Sequence, residues 1–138
     1  MSADTCLFCK MAGGQIPVVK IFEDDIVLAF LDINPISDGH TLVIPKQHFE
    51  RLHECPADVL SEVTKRLGTI AGGVAKAMNS DGYNVLCNNG RAASQIIDHL
   101  HFHIIPRKSN DGIFERWPAY KYAEGQIEKI AERIRKKM

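Results

Sequence analysis

The sequence predicts a mixed α+β domain: one five-stranded, mostly antiparallel sheet, a long central helix and a C-terminal helix. Three observations predict it. Short apolar runs bounded by turn formers recur along the chain, as strands require. One long middle stretch keeps an apolar stripe at helical spacing, and the closing stretch does so again. No repeat or linker divides the 138 residues, which suffice for one domain spanning 1–138 with its own core.

The elements follow in order. A short helix is expected over 6–11, ended by Gly13 and Gly14. "VVKIFEDDIVLAFLD" reads as a hairpin, with strands near 18–22 and 26–31 turning at Glu23, Asp24 and Asp25. "INPISDGH" is a loop rich in turn formers, and "HTLVIP" a third strand stopped by Pro45. Residues 55–80 form a helix with Pro56 in its first turn. Its stripe is Val59, Val63, Leu67, Ile70, Val74 and Met78. Gly68, Gly72 and Gly73 lower its intrinsic stability and permit close approach to a sheet. "YNVLCN" is the fourth strand, "NGRAASQ" a loop, and 99–105 the fifth strand. The last helix covers about 123–137, with Ile127, Ile130, Ala131 and Ile134 on one face.

Composition narrows the class. Apolar residues are 45% and charged residues 25%, an ordinary globular balance. Seventeen basic side chains face seventeen acidic ones, so a general nucleic-acid binder, which needs basic excess, is not expected. The basic end "RIRKKM" suits the C-terminus of a helix. "MSADTCLFCK" lacks the charged start and long apolar stretch of a leader. The longest apolar run, "IVLAFL", is far too short for a bilayer. A soluble cytoplasmic protein, without nucleic-acid or membrane partners, is the expectation. A reducing compartment argues against disulfides among Cys6, Cys9, Cys55 and Cys87. Cys6 and Cys9 form a Cys-x-x-Cys pair: half of a zinc site, or two reduced thiols packed in the N-terminal helix. Cys55 and Cys87 read as ordinary thiols.

"HLHFHIIP" carries the chemistry. On a strand, His99, His101 and His103 project to one face, and Leu100, Phe102 and Ile104 to the other. The bland reading is polar residues on a wet strand face; the functional ones are metal binding, nucleophilic catalysis and phosphate binding.

His-apolar-His-apolar-His-apolar-apolar resembles the signature of the histidine-triad (HIT) superfamily of nucleotide hydrolases and transferases. "FEDDIVLAFLDINPISDGHTLVIPKQH" looks like its central segment and "NNGRAASQ" like its phosphate-contacting loop, so the resemblance spans roughly 6–107. The branch it most resembles is that of bacterial histidine-triad nucleotide-binding proteins. The resemblance implies an α+β HIT-like fold, a homodimer, and hydrolysis at the α-phosphate of purine nucleotide conjugates through a nucleotidyl-histidine. It makes His101 the nucleophile and His103 a donor to phosphate oxygens. It sets His40, Asn88 and Gln95 near the phosphates, Asp32 on the ribose hydroxyls, and Phe30 and Ile33 around the base. By likeness to zinc-containing relatives, Cys6, Cys9, His48 and His99 would hold a structural Zn2+; no organic cofactor is implied. Nucleoside phosphoramidates are the expected substrates. The alternatives are dinucleoside polyphosphates, or a regulatory protein that binds nucleotide and turns it over incidentally. Two residues depart from the pattern. Some relatives carry Ser where this chain has Ile96, and Asp98 replaces an aromatic residue or proline before His99.

Overall fold

The computed structural model describes residues 3–138. Met1 and Ser2, at the head of the stretch read for a leader, lie outside the described residues. Helix α1 is Leu7–Ala12, followed by strands β1 Lys20–Glu23, β2 Val27–Leu31 and β3 Thr41–Pro45. Helix α2, Ala57–Ala77, leads to β4 Gly82–Leu86, β5 Phe102–Arg107 and helix α3 Gln126–Arg135. The strands form one sheet in the order β1-β2-β3-β5-β4, and every neighbouring pair is antiparallel.

Local chemistry sets the turns. Between β1 and β2, Asp24 Oδ1 accepts the backbone N–H of Ile26 at 2.8 Å and of Val27 at 2.9 Å, a side chain closing its own turn. Before β3, Gly39 has φ +85, and a Cβ there would lie 2.6 Å from Met78 Cγ. Only glycine lets this loop both turn left-handed and touch the end of α2. Pro106 sits in a central strand without harm. The β3 ladder stops at the Thr41–Ile104 pair, so no partner there needs its missing N–H.

The sheet is covered on both faces. Val63, Leu67, Ile70, Ala71 and Val74 of α2 pack on Val27, Ala29, Val43, Phe102 and Ile104. On the opposite face, Phe8 of α1 and Cys6 join Leu28, Phe30, Leu42 and Ile44. Val18 and Ile97 close over that second core. This excludes the bland reading of a wet strand face: His99 is 0% exposed and His101 is buried. Nor does the strand begin at His99. Leu100 N–H bonds Phe49 O at 2.6 Å, outside the sheet, and regular pairing starts at Phe102.

The α2 glycines are also corrected. A Cβ at Gly68, Gly72 or Gly73 would meet nothing within 4 Å, so they serve no close approach to this sheet. They sit on the side of α2 turned away from it. Helix α3 keeps its predicted stripe yet buries none of its residues. Among the described residues, no helix is long and apolar enough to cross a membrane.

Candidate functional site

His103 lies in β5 opposite Leu42, and His101 just precedes the strand. Both line a cleft of about 480 Å3 on the α1 face of the sheet. Its apolar wall includes Leu7, Phe8, Met11, Val18, Phe30 and Leu42. Its polar lining is Asp32, Asn34, Ser94, His101 and His103.

The tautomers of the two histidines follow from their partners. His101 Nδ1 donates to the backbone carbonyl of His99 at 2.7 Å, so Nε2 carries the lone pair. Phe8 meets this imidazole edge-on, with centroids 5.2 Å apart. His103 is set by a relay. The Ile36 N–H donates to His40 Nδ1 at 3.1 Å, which obliges His40 to carry its proton on Nε2. That N–H donates to His103 Nδ1 at 2.9 Å, leaving His103 with its own proton on Nε2. This Nε2–H is buried and has no hydrogen-bond partner among the described residues. Burial holds the whole set neutral. It pushes His103 down to about 4, helped by His101 and His40 nearby, and lowers His40 and His101 in the same sense. The site therefore offers a neutral nucleophilic nitrogen beside a neutral N–H donor.

Asp32 lines the cleft beside His40 and His103. Its Oδ1 accepts the Asn34 N–H at 2.8 Å, and Oδ2 lies 3.7 Å from His40 Nε2. Asp32, His40 and His103 gather closely enough for a metal. The Ile36 N–H, however, keeps His40 Nε2 protonated, so this trio is a hydrogen-bonded relay.

Other expected contacts fall elsewhere. His40 is buried behind His103 and does not line the cleft. Gln95 is buried with both ends of its amide occupied: Oε1 accepts the Gly90 N–H at 2.7 Å, and Nε2 donates to Glu50 O at 2.6 Å. It anchors the loop. Asn88 is half-buried outside the cleft lining, while Asn89 accepts the Leu52 N–H at 2.8 Å. Ile33 is at the mouth, 89% exposed, and Phe30 is buried in the wall. The departure at Asp98 has a partner: Arg91 Nη2, 3.0 Å away. Sequence reasoning missed Phe8 and Ser94. Phe8 follows Cys6 by two residues in an apolar helix, which gives no hint of an imidazole against it. Ser94 looks like any loop serine.

Behind His101 lies a second cluster. Cys6 Sγ, Cys9 Sγ, His48 Nδ1 and His99 Nδ1 all lie within 4.8 Å of one another. Cys6 Sγ is 3.4 Å and Cys9 Sγ 3.5 Å from His99 Nδ1. Cys9 Sγ is 3.3 Å, and His99 Nδ1 3.2 Å, from His48 Nδ1. Tetrahedral coordination by thiolate and imidazole places such ligand atoms about 3.3–3.6 Å apart. His99 Nε2 donates to Pro45 O at 2.8 Å, which turns the Nδ1 lone pair toward the other three atoms. Burial and the adjoining Cys6 push the Cys9 thiol up to about 11, a cost that a bound cation reverses. The four residues can hold a metal ion.

Comparison with known proteins gives the family. The HIT domain model matches residues 13–110. Adenosine 5'-monophosphoramidase hnt1 of Schizosaccharomyces pombe is 45% identical over 97% of this chain and 98% of its own. A HIT family protein from Bacillus subtilis has a crystal structure with TM-score 0.90 and 38% identity, covering 97% of each chain. A Zn-bound histidine triad family protein from Mycobacterium smegmatis has TM-score 0.71 and 35% identity over 86% of each chain. With the triad, its cleft and these likenesses in agreement, the chain belongs to the HIT domain family.

Proposed function

We propose that this nucleotide hydrolase of the HIT family cleaves purine nucleoside 5'-phosphoramidates through a covalent nucleotidyl-histidine. The observation that carries the reading is the 2.7 Å bond from His101 Nδ1 to His99 O, which frees Nε2 for attack. His101 Nε2 forms a bond to the α-phosphorus. The P–N bond breaks, and the amine departs with the electron pair, protonated by solvent. Water then attacks the same phosphorus and releases the monophosphate and His101. His103 Nε2–H donates to a non-bridging oxygen as its charge grows. Asp32 accepts from the ribose hydroxyls, and Phe30 and Ile33 flank the base. A wall without polar groups selects by stacking area, so base preference is weak. The 45% identity to a protein named adenosine 5'-monophosphoramidase supports the substrate class.

Zinc is the metal proposed for Cys6, Cys9, His48 and His99. Two thiols and two imidazoles form a closed donor set of the kind structural zinc prefers, and the Zn-bound M. smegmatis relative supports it. Its contribution is structural: it ties α1 to the segment carrying His101. The homodimer and the cytoplasmic location belong to the same proposal. Tyr83 and Val85 are exposed on edge strand β4 and support the dimer.

One observation favours a second reading. Ile96, 76% exposed, lines the cleft where a hydroxyl would help an amine leave. A phosphate leaving group needs less protonation, so dinucleoside polyphosphates are the second substrate class. His101→Ala tests the mechanism. Turnover should fall by several powers of ten while monophosphate affinity changes little. A variant keeping more than about a tenth of the rate removes His101 from this role. Specificity constants for both classes on one preparation decide the substrate.

A further inference from the structure

The loop from Gly90 to Asp98 is pinned along its length. Gly90 N–H donates to Gln95 Oε1, and the Gln95 N–H returns to Gly90 O at 3.1 Å. The Arg91 guanidinium holds the carbonyls of Gln95 and Ile96 and the carboxylate of Asp98. Between these anchors stands Ser94, in the left-handed region at φ +68 and ψ +26. Apart from achiral glycine, and asparagine or aspartate, residues seldom rest there, and the anchors on both sides enforce it. Its N–H is taken by Arg91 O at 3.0 Å. It is exposed and lines the cleft with His101 and His103, and among the described lining residues no other carries a hydroxyl.

We propose that the Ser94 hydroxyl is the leaving-group contact of this site and selects amines over phosphates. This rests on the phosphoramidate reading above. A departing amine presents N–H donors and needs an acceptor. His103 turns a donor toward the cleft, and His101 Nε2 is committed to phosphorus. The Asp32 carboxylate lies beside His40 and His103, is engaged by the Asn34 N–H, and is the acceptor assigned to the ribose hydroxyls. A hydroxyl both accepts and donates. Ser94 Oγ accepts from the amine N–H, its own O–H stays with solvent, and no proton is transferred through it. A phosphate leaving group has no N–H and gains nothing from this acceptor.

The test uses Ser94→Gly and Ser94→Ala with an AMP alkylamidate and diadenosine polyphosphate as substrates. Glycine relieves the left-handed strain, so Ser94→Gly should melt at the same temperature as wild type or higher. Its kcat/KM for the amidate should nonetheless fall about three- to tenfold, the worth of one neutral hydrogen bond, with the polyphosphate rate unchanged. Ser94→Ala, which keeps the strain, should show the same kinetic loss. Adding Ile96→Ser to Ser94→Gly should recover part of the amidate rate. A substrate ratio equal to wild type in both variants overturns the proposal and leaves Ser94 a turn residue. If the wild type cleaves no amidate, the functional reading fails on its own. Calorimetry in the His101→Ala background then compares affinity for the amidate and for AMP. Loss of amidate preference in Ser94→Gly upholds the contact, and an unchanged preference overturns it.

Discussion

His40→Phe cuts the relay that sets His103 while keeping a ring in place. Two hydrogen bonds are lost: Ile36 N–H to His40 Nδ1 at 3.1 Å, and His40 Nε2 to His103 Nδ1 at 2.9 Å. An amide left without an acceptor costs about 1–3 kcal/mol, and one net hydrogen bond about 1 kcal/mol. The fold should lose roughly 2–4 kcal/mol, a large share of a typical 5–15 kcal/mol. The catalytic effect comes through the tautomer. Without the His40 donor, His103 is free to move its proton to Nδ1, near the Asp32 carboxylate, and present a lone pair to the phosphate. Loss of one hydrogen bond to a charged group costs about 1.5–3 kcal/mol, so turnover should fall about 10- to 100-fold. Urea titration reads the stability, and long-range 1H–15N spectra read the tautomer directly. Wild type at pH 7 should show His103 protonated at Nε2 alone. An Nδ1 proton or an imidazolium there would refute the relay, as would full turnover in the variant.

Acid should weaken the fold through the same residue. His103 titrates at about 4 when folded, against an ordinary 6.5, so the folded state binds fewer protons. Its contribution is complete above about 6.5 and is lost as pH falls toward 4, by at most about 3 kcal/mol. Urea midpoints between pH 7.5 and 5 should therefore fall more steeply in wild type than in His103→Asn; parallel slopes count against it. Elemental analysis of protein purified without added metal should find one zinc per chain. Cys6→Ser with Cys9→Ser should lower the melting temperature by removing a ligand that binds only the folded state. Metal-free protein of undiminished stability would end the zinc assignment.

Much of the fold was legible because each element carries its own period. The α2 stripe and the alternating β2, β3 and β5 residues all pack as their spacing requires. Periodicity says which side chains share a face, but not what covers that face. His99, His101 and His103 do share one side, yet α1 and Ile97 lie over it, so the histidines are enclosed. His40 and Gln95 show the same limit in the site. Their positions near the triad were legible, but their hydrogen bonds to Ile36, Gly90 and Glu50 arise only once distant segments meet. The α2 glycines misled because small residues signal a close approach without naming the partner. Ser94 was invisible, since nothing in a loop sequence announces a left-handed serine aimed at a cleft.

The thiol–imidazole cluster also bears on how the chain comes to be assembled. Cys6 and His99 are 93 positions apart, so the first helix made must wait for nearly the last strand. At about 5–20 residues per second, ribosomal synthesis separates them by roughly 5–20 s. During that interval the α2 side of the sheet can begin to organise, but the cleft side cannot close. Deleting residues after Arg107 should leave this order intact, whereas a stall before residue 99 should yield a nascent chain with two unsatisfied N-terminal thiols. Catalytic competence is therefore a late event in the birth of the molecule, timed by the arrival of the triad segment.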